Sequence, residues 1–353
     1  MRAIAIIVLA GCGRLGFQGH PGVASDGAPA DTAIDAPAGD AAASDGQAVA
    51  PALCDVAQVF DLAPQLAPGD AATAVRVSPF AGGYLLGIGT QALDIYALHL
   101  DAGLVPTESM AHLPLAGEYA LWSADASSAD AFFFIGDSDG FGYLKRLESN
   151  FDSYTAIQQV GKFPLAPSLA PLGGQYLLAA IDTTGHLAMF GVDATGATAT
   201  ITVGYNPAAT AASIVATADG VAAAIAASPC ELFAIDATGA TSDHVPFALA
   251  CDQPYLAPDA SELIYTSAGE VFGYDVATAQ TDDLGPGSDP HVAAAGSAWV
   301  DTSGQLALAS TAGRTITSYG AQSLDLATTQ AGLEVVWLDG SVVSRGRLCA
   351  EPL

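Results

Sequence analysis

The first segment whose residue types could do chemistry is the acidic run Gly136–Gly140, which reads Gly-Asp-Ser-Asp-Gly. This run matches the Gly-x-Ser-x-Gly pattern that presents a nucleophilic serine between a strand and a helix in many hydrolases. The residues that follow, Phe141–Leu147, alternate as a second strand does and show no helical period. We therefore interpret the run as a tight turn between two strands and not as a catalytic nucleophile.

The same run partly matches the calcium-binding loop of an EF-hand. Asp137 and Asp139 fall on the first and third ligand positions, but Phe141 stands at the fifth, where calcium needs an oxygen atom. The pattern also lacks the flanking helices of that motif. The sequence thus predicts a solvated acidic turn and no metal site, and Asp137 and Asp139 are the residues to test if a metal does bind.

The histidines give no second candidate. None of the six has metal-ligand spacing to another. His112 and His244 come at equivalent ends of two repeated units, which makes them features of the repeat. We expect neither a cofactor nor a catalytic centre from these residues.

The charge of the chain excludes two classes of partner. It has 37 acidic residues against 9 lysines and arginines, which gives a net charge of −28 and a pI near 4.1. Without a cluster of basic residues it cannot neutralise phosphates, so nucleic acid is excluded as a partner, as is a polybasic contact with a membrane. No apolar run approaches the ~18 residues of a membrane-spanning helix.

The N-terminal residues predict export and a lipid anchor. Residues 1–11 read as a signal peptide, because a positive charge precedes the apolar run Ala3–Ala10. Leu9–Cys12 resembles the lipobox of bacterial lipoproteins, which implies acyl chains such as palmitate on Cys12. Gly13, in place of the aspartate that retains such proteins at the inner membrane, implies the outer membrane, facing the periplasm or the cell surface. Each buried CH₂ of an acyl chain contributes ~0.8 kcal/mol, so several chains anchor a protein almost permanently.

Two regions of different composition follow the anchor. Residues 12–53 are dominated by Ala, Gly, Asp, Pro and Ser and cannot bury enough apolar surface to fold, which predicts a disordered tether. Residues 54–353 consist of short apolar runs separated by turn residues, without a helical period. This pattern predicts one all-β domain.

A repeat of about 43 residues predicts the architecture of this domain. An apolar strand recurs, and in most units a turn and a second strand with an acidic corner follow it. The unit length matches a four-stranded blade, so we predict a single β-propeller of about seven blades, with six or eight as alternatives. We assign the apolar strands to the inner position of each blade. They are Gly83–Ile88, Ala131–Ile135, Gln175–Ala179, Val221–Ile225, Leu263–Tyr265, Ala298–Val300 and Glu334–Trp337.

One repeat allows a comparison with a family. Tyr255–Tyr265, which contains a central Pro-Asp pair, and the following Val271–Asp275 resemble the WD-like repeat of TolB-like periplasmic propellers. Ser78–Phe80 and Ala170–Leu172 keep the proline and lose the aspartate. The resemblance implies a propeller architecture and assigns no functional residue.

Four cysteines remain besides Cys12, and disulfides are expected in an exported domain. Three pairings are possible. Because Cys54 opens the domain and Cys349 lies near its end, we predict that the N-terminal strand completes the last blade and that a Cys54–Cys349 disulfide closes the ring. Cys230 and Cys251 then pair locally.

These observations predict a lipid-anchored extracytoplasmic propeller that acts as a binding or scaffold protein of the bacterial envelope and not as an enzyme. Its expected partners are the membrane, through the lipid, and an envelope protein or a small-molecule or glycan ligand on a propeller face. The alternative is a propeller hydrolase or lyase with a channel site, with calcium as an optional cofactor. Three or more Asp, Glu or His side chains converging in the channel would favour the enzyme, whereas a channel lined by small residues would favour the binder.

Overall fold

All the secondary structure of the described residues is β-structure. A computed structural model describes residues 51–92, 94–113, 120–124, 130–136, 141–148, 158–162, 168–172, 175–182, 184–193, 198–205, 207–236, 238–242, 244–311 and 313–349. These ranges contain no helix, and so none that is long and apolar enough to cross a bilayer. The predicted signal peptide, Cys12, most of the predicted tether, Asp137 and Asp139 lie outside them.

Strands that follow one another in sequence pair side by side in antiparallel sheets. Sheet 1 contains β2 (Ala72–Phe80), β3 (Gly83–Thr90), β4 (Ile95–Leu100) and β5 (Ala111–Leu113); it follows β1 (Ala52–Asp61) in the chain. Sheet 2 contains β6 (Ala120–Ala124), β7 (Asp130–Gly136), β8 (Phe141–Glu148) and β9 (Gln158–Lys162). Sheet 3 contains β10 (Ser168–Leu172), β11 (Gln175–Ile181), β12 (Leu187–Val192) and β13 (Thr198–Ile201). Sheet 4 contains β14 (Ala211–Ala216), β15 (Gly220–Ala226), β16 (Cys230–Asp236) and β17 (Val245–Ala248).

Two further sheets complete the fold. The shared sheet has seven strands, β18 (Tyr255–Leu256), β19 (Glu262–Ser267), β20 (Glu270–Asp275), β21 (Gln280–Ala293), β22 (Gly296–Asp301), β23 (Gln305–Ser310) and β24 (Gly313–Gly320). The closing sheet contains β25 (Ser323–Thr329), β26 (Gly332–Asp339) and β27 (Val342–Cys349), with β1 added as its fourth strand.

The innermost strands of these sheets lie next to one another around a central channel. β2 contacts β25 of the closing sheet and β6 of sheet 2, and β10 contacts β6 and β14. β14 contacts β18, and β21 contacts β25, so the series returns to its start. Sheets that succeed one another around a channel in this way form a β-propeller.

The apolar repeated strands are the second strands of their sheets, which corrects the prediction of an inner position. β3, β11, β15 and β26 each pair with a strand on both sides, and all residues of β15 except Ala222 are buried. Such a strand is covered on both faces by neighbouring sheets, which is why its side chains are uniformly apolar. An innermost strand has one open edge toward the channel, where its backbone N–H groups require polar acceptors.

Apolar side chains fill the spaces between neighbouring sheets. Leu86 of sheet 1 packs with Val336 of the closing sheet. Ile181 of sheet 3 packs with Ile225 and Phe233 of sheet 4. Since each fully buried side chain of this kind contributes about 1.5–3 kcal/mol, a sheet is stable when it lies between two others.

The N-terminal strand closes the ring, as the sequence predicts. β1 pairs antiparallel with β27, with Ala52 opposite Cys349. Cys54 is bonded to Cys349, and their Cα atoms lie 6.2 Å apart. Cys230 is bonded to Cys251, which joins β16 to the segment after β17. The first and last strands of the propeller therefore belong to one sheet.

Aspartates at strand ends build the turns. In Asp101, Asp182, Asp236 and Asp301, Oδ1 accepts hydrogen bonds from the backbone N–H groups two and four residues later, at 2.8–3.0 Å. At Asp236, the hydrogen bonds from the Thr238 side chain and from the backbone lower the pKa of the carboxyl group. The acidic corners read from the sequence are therefore turn-forming residues.

Candidate functional site

The central channel contains a cavity of about 480 Å³. The innermost strands β2, β10, β14, β18 and β25 and the end of β21 line it. Most lining side chains are small or apolar, and the polar groups of Arg76, Tyr84, Tyr255 and Asp325 interrupt them. The volume is that of a site for a small ligand or for a few side chains of a partner.

Side-chain oxygens on the innermost strands accept hydrogen bonds from the backbone of the next innermost strand. Ser168 Oγ of β10 accepts one from the N–H of Ile214 in β14, at 3.0 Å. Ser213 Oγ of β14 accepts one from the N–H of Leu256 in β18, at 3.1 Å. We call the side chains that make such contacts the inner girdle. Its described members are Ser168, Ser213, Asp289, Ser323 and Asp325.

The inner girdle includes an aspartate at each of the two junctions between the closing sheet and its neighbouring sheets. Asp289 Oδ2 of β21 accepts a hydrogen bond from the N–H of Leu324 in β25, at 2.9 Å. Asp325 Oδ2 of β25 accepts one from the N–H of Val77 in β2, also at 2.9 Å. Ser323 donates to Asp289 Oδ2 at 3.0 Å. Carboxylates therefore connect the shared sheet to the closing sheet, and the closing sheet to sheet 1.

Two cationic side chains balance these carboxylates. Arg76 Nη2 of β2 lies 3.4 Å from Asp289 Oδ1, and Arg76 Nη1 donates to the carbonyl oxygen of Leu324 at 3.1 Å. His291 Nε2 lies 3.3 Å from Asp289 Oδ1, and its Nδ1 lies 3.0 Å from Asp325 Oδ1. The second contact has the distance of an ion pair, although the ring N–H does not point along it. We call Arg76, Asp289, His291 and Asp325 the charged seam.

Burial and charge act in opposite directions on the charged seam. The side chains of His291 and Asp325 are 3% and 6% exposed, and those of Arg76 and Asp289 are 25% exposed. Burial alone would lower the pKa of His291, but Asp325 and Asp289 outweigh it and raise that pKa. Burial would raise the pKa of Asp289, but Arg76 and His291 hold it well below its ordinary range. Each charge of the seam is thus stabilised by opposite charges on other strands.

A bulge in β21 directs Asp289 and His291 toward β25. The pairing of β21 with β22 shifts register between Ser288 and His291. Asp289 lies in this bulge with φ = 48°, in the left-handed region that aspartate tolerates better than most residues. Pro290, which has no N–H, interrupts no ladder hydrogen bond in the bulge. The irregular backbone lets two side chains from one strand contact the closing sheet.

The contacts of Asp289 limit what it could do as a catalyst. Its Oδ1 faces Arg76 and His291, and its Oδ2 accepts from Ser323 and from the N–H of Leu324. An ionised carboxylate has about four lone-pair sites, so this one has none left for a substrate proton. The other carboxylate of the seam accepts two backbone N–H groups. Three side chains, Asp289, His291 and Asp325, do converge at the inner edge of the closing sheet, as an ion cluster that joins sheets, and of these Asp325 lines the cavity.

The structure does not bring the two repeat histidines together. His112 stacks on Tyr96 in sheet 1, with ring centroids 4.8 Å apart, and contacts a neighbouring carboxylate. His244 stacks on Phe233 in sheet 4, at 4.3 Å, and likewise contacts a carboxylate. Each histidine covers an aromatic ring of the third strand of its own sheet. Among the described residues, no group of three His, Cys, Asp or Glu side chains is arranged to hold a metal ion.

Sequence reasoning missed the charged seam because its residues come from sheets that are far apart in the chain. A signal was present, since Arg76 stands between two valines and Asp289 is two residues from His291. A charge inside an apolar strand indicates a buried partner. The pattern does not say which residue that partner is.

No family model matches the chain, and no curated protein matches it. Among solved structures, the chain is similar to the crystal structure of BamB from Moraxella catarrhalis. The sequence identity is 17% and the TM-score is 0.49, over 86% of this chain and 99% of that chain.

Proposed function

We propose that this chain is a lipid-anchored propeller of seven blades that binds a partner in the bacterial envelope. The blade number follows if the shared sheet is divided within β21. This strand pairs with β20 through Gln280–Pro286 and with β22 through Gly287–Ala293. The two halves and the five four-stranded sheets then make seven blades, in agreement with the repeat length of about 43 residues.

The observation that carries the binding function is the cavity in the channel. It is lined largely by small and apolar side chains, and polar groups lie at a few points on its wall. This composition is typical of a recognition site. Arg76, Tyr84 and Asp325 on its wall are engaged in hydrogen bonds that join the sheets, which favours binding over catalysis.

A crosslinking experiment tests this site. A photoreactive amino acid is placed at Thr328, which lines the cavity and is exposed, in the full-length protein in its native envelope. The matched control places it at Ile316, which is 48% exposed on the outer strand β24. We expect irradiation to give a defined product at Thr328 and none at Ile316, and the substitution Ala216→Trp in the cavity wall to abolish that product.

Products at both positions alike, or at Ile316 alone, would place binding outside the channel. A Thr328 product that survives Ala216→Trp would also contradict a cavity site. The substituted proteins are compared by circular dichroism and by Tm, so that a folding defect is not mistaken for a lost contact.

The anchor is tested separately. Cys12→Ser should move the protein from the membrane fraction to the soluble fraction and abolish labelling with radioactive palmitate, because the acyl chains hold the protein at the membrane. Cys54→Ser is the control, since it removes a cysteine from the folded domain and should keep the label. Wild-type protein that carries no label would exclude the lipid anchor.

One observation favours the second candidate, a channel enzyme. His291 lies between two carboxylates, of which that of Asp325 lines the cavity, and the ring centroids of Tyr255 and His291 are 4.4 Å apart. Hydrolysis of a model ester or glycoside by the wild type that is lost in Asp325→Asn, with Tm values above the assay temperature in both, would support the enzyme over the binding protein.

A further inference from the structure

The inner girdle is neutral at some junctions and charged at others. Between sheets 3 and 4, and between sheet 4 and the shared sheet, a serine hydroxyl accepts the backbone N–H of Ile214 or Leu256. At both sides of the closing sheet, a carboxylate accepts the N–H of Leu324 or Val77. These charged junctions are the ones that complete the ring. They are also the described junctions at which a histidine faces carboxylates from two strands.

We propose that the charged seam is a proton-dependent lock on the closing sheet, held shut by the protonated ring of His291 and loosened when that ring loses its proton. The lock joins β21, β25 and β2 at the inner edge of the ring. The disulfide Cys54–Cys349 joins β1 to β27 in the same sheet. The closing sheet is therefore held by a disulfide and by an ion cluster whose strength depends on pH.

The groups around His291 explain why its proton is required. Asp289 contacts Nε2 from the same strand, Asp325 contacts Nδ1 from β25, and Tyr255 of β18 packs against the ring. Arg76 of β2 shares Asp289 with it. A neutral ring carries one N–H, so one nitrogen would then point a lone pair at a carboxylate. That contact changes from attraction to repulsion in a site where the side chain is 3% exposed.

The direction of the pH dependence follows from the two shifted groups. The pKa of His291 is raised above its unfolded value of 6.5. Its contribution to the free energy of unfolding is therefore complete below about pH 6.5 and disappears as pH rises through the folded pKa. The pKa of Asp289 is lowered below its unfolded value of 3.8. Its contribution to the free energy of unfolding is therefore complete above pH 3.8 and disappears as pH falls through the folded pKa. The lock is therefore closed between about pH 4 and 6.5 and weakens above that range.

Loosening of the lock should alter the channel. Arg76 and Asp325 line the cavity, and so do Leu326 and Ala327 of the same innermost strand β25. Movement of β25 away from β2 widens the cavity on that side. A change of pH above neutrality would thus alter access to the channel while the disulfide keeps the ring intact.

Hydrogen exchange on the wild-type protein tests the lock without any substitution. The reporters are peptides that contain the N–H groups of Val77 and Leu324, and the controls are peptides that contain those of Ile214 and Leu256. After correction for intrinsic exchange, we expect protection at the reporters to fall by up to about tenfold per pH unit above pH 6.5, until His291 has lost its proton in the folded state as well. Protection at the controls should remain constant, because a serine accepts their hydrogen bonds.

Two variants separate His291 from the other histidines. His291→Gln removes the titrating group, so reporter protection should be lower than in the wild type at pH 6 and should no longer depend on pH. His186→Gln, which removes an exposed histidine from a turn of sheet 3, should show the wild-type profile. If His291→Gln does not fold, the comparison of reporter and control peptides in the wild-type protein still decides whether the charged seam weakens as pH rises.

Three outcomes would overturn the lock. Equal pH dependence at reporters and controls would mean that the whole molecule loosens uniformly. Constant protection at the reporters from pH 6.5 to 9 would mean that His291 does not hold the seam through its charge. A wild-type pH profile in His291→Gln would assign the effect to another group.

Discussion

Arg76 makes it possible for two carboxylates to contact one buried histidine. The carboxylates of Asp289 and Asp325 both face His291. Two negative charges held this close, away from water, would destabilise the fold unless cations lay between their strands. Arg76 supplies one such cation from a third strand and also donates to the carbonyl oxygen of Leu324. With the imidazolium ring, the four side chains sum to zero charge, in a chain whose net charge is −28.

Asp289→Asn should lower the free energy of unfolding by about 3 kcal/mol at pH 6. The amide keeps the shape of the side chain but removes the negative charge, which leaves Arg76 and His291 without one of their ion-pair partners. Urea unfolding followed by circular dichroism measures the change. Asp252→Asn, at an exposed position, is the control and should stay within about 0.5 kcal/mol of the wild type. Equal effects of the two substitutions would show that the charged seam does not stabilise the ring.

At the level of the strands, the sequence predicts the second strand of each sheet well and the innermost strand poorly. A second strand is covered on both faces, so its composition is uniformly apolar and repeats visibly, as in Gly83–Thr90 and Gly332–Asp339. An innermost strand combines apolar contacts with a polar side chain that must reach the backbone of the next sheet. Its composition therefore varies from sheet to sheet, as serine at Ser213 and aspartate at Asp325 show.

The closure of the ring could be predicted from the sequence because it depends on the first and last strands of one domain. Cys54 and Cys349 flank the domain, and a sheet that lacked a strand could be completed only by the residues beside Cys54. The inner girdle could not be predicted, since Ser168 and Ile214 lie in different sheets and no sequence pattern relates them. Junctions between elements are thus less predictable than the elements.

Removal of the Cys54–Cys349 disulfide should destabilise the propeller more than removal of the local Cys230–Cys251 disulfide. The chain-entropy relation gives an upper value of about 5–6 kcal/mol for Cys54–Cys349, which spans 295 residues, and about 3 kcal/mol for Cys230–Cys251, which spans 21. We expect Cys54→Ser with Cys349→Ser to lower Tm more than Cys230→Ser with Cys251→Ser. Differential scanning calorimetry under non-reducing conditions measures both.

Peptide mapping of the unreduced protein is the companion measurement. It should recover Cys54 linked to Cys349 and Cys230 linked to Cys251. A peptide that links Cys54 to Cys230 or to Cys251 would contradict the Cys54–Cys349 disulfide, and with it the pairing of β1 in the closing sheet.

For the whole molecule, we predict that stability does not depend on a metal ion. Dialysis against EDTA should leave Tm unchanged, because the aspartates of the described turns already accept backbone hydrogen bonds, as Asp236 and Asp301 do. A large decrease in Tm, reversed by calcium, would show a metal site elsewhere in the chain, and Asp137→Asn and Asp139→Asn would then be the first substitutions. Magnesium added at the same concentration controls for ionic strength.

The position of Cys54 has a mechanical consequence. It is the third residue of β1, so a force applied to the chain before Ala52 reaches the crosslink almost as soon as it reaches the sheet. Separation of β1 from β27 cannot pass a covalent bond between the two strands, and the tension is transferred to Cys349 at the end of β27. The first and last strands of the propeller thus act as one attachment point, and a pull on the chain before Ala52 strains the fold as a whole before it can unravel a single strand.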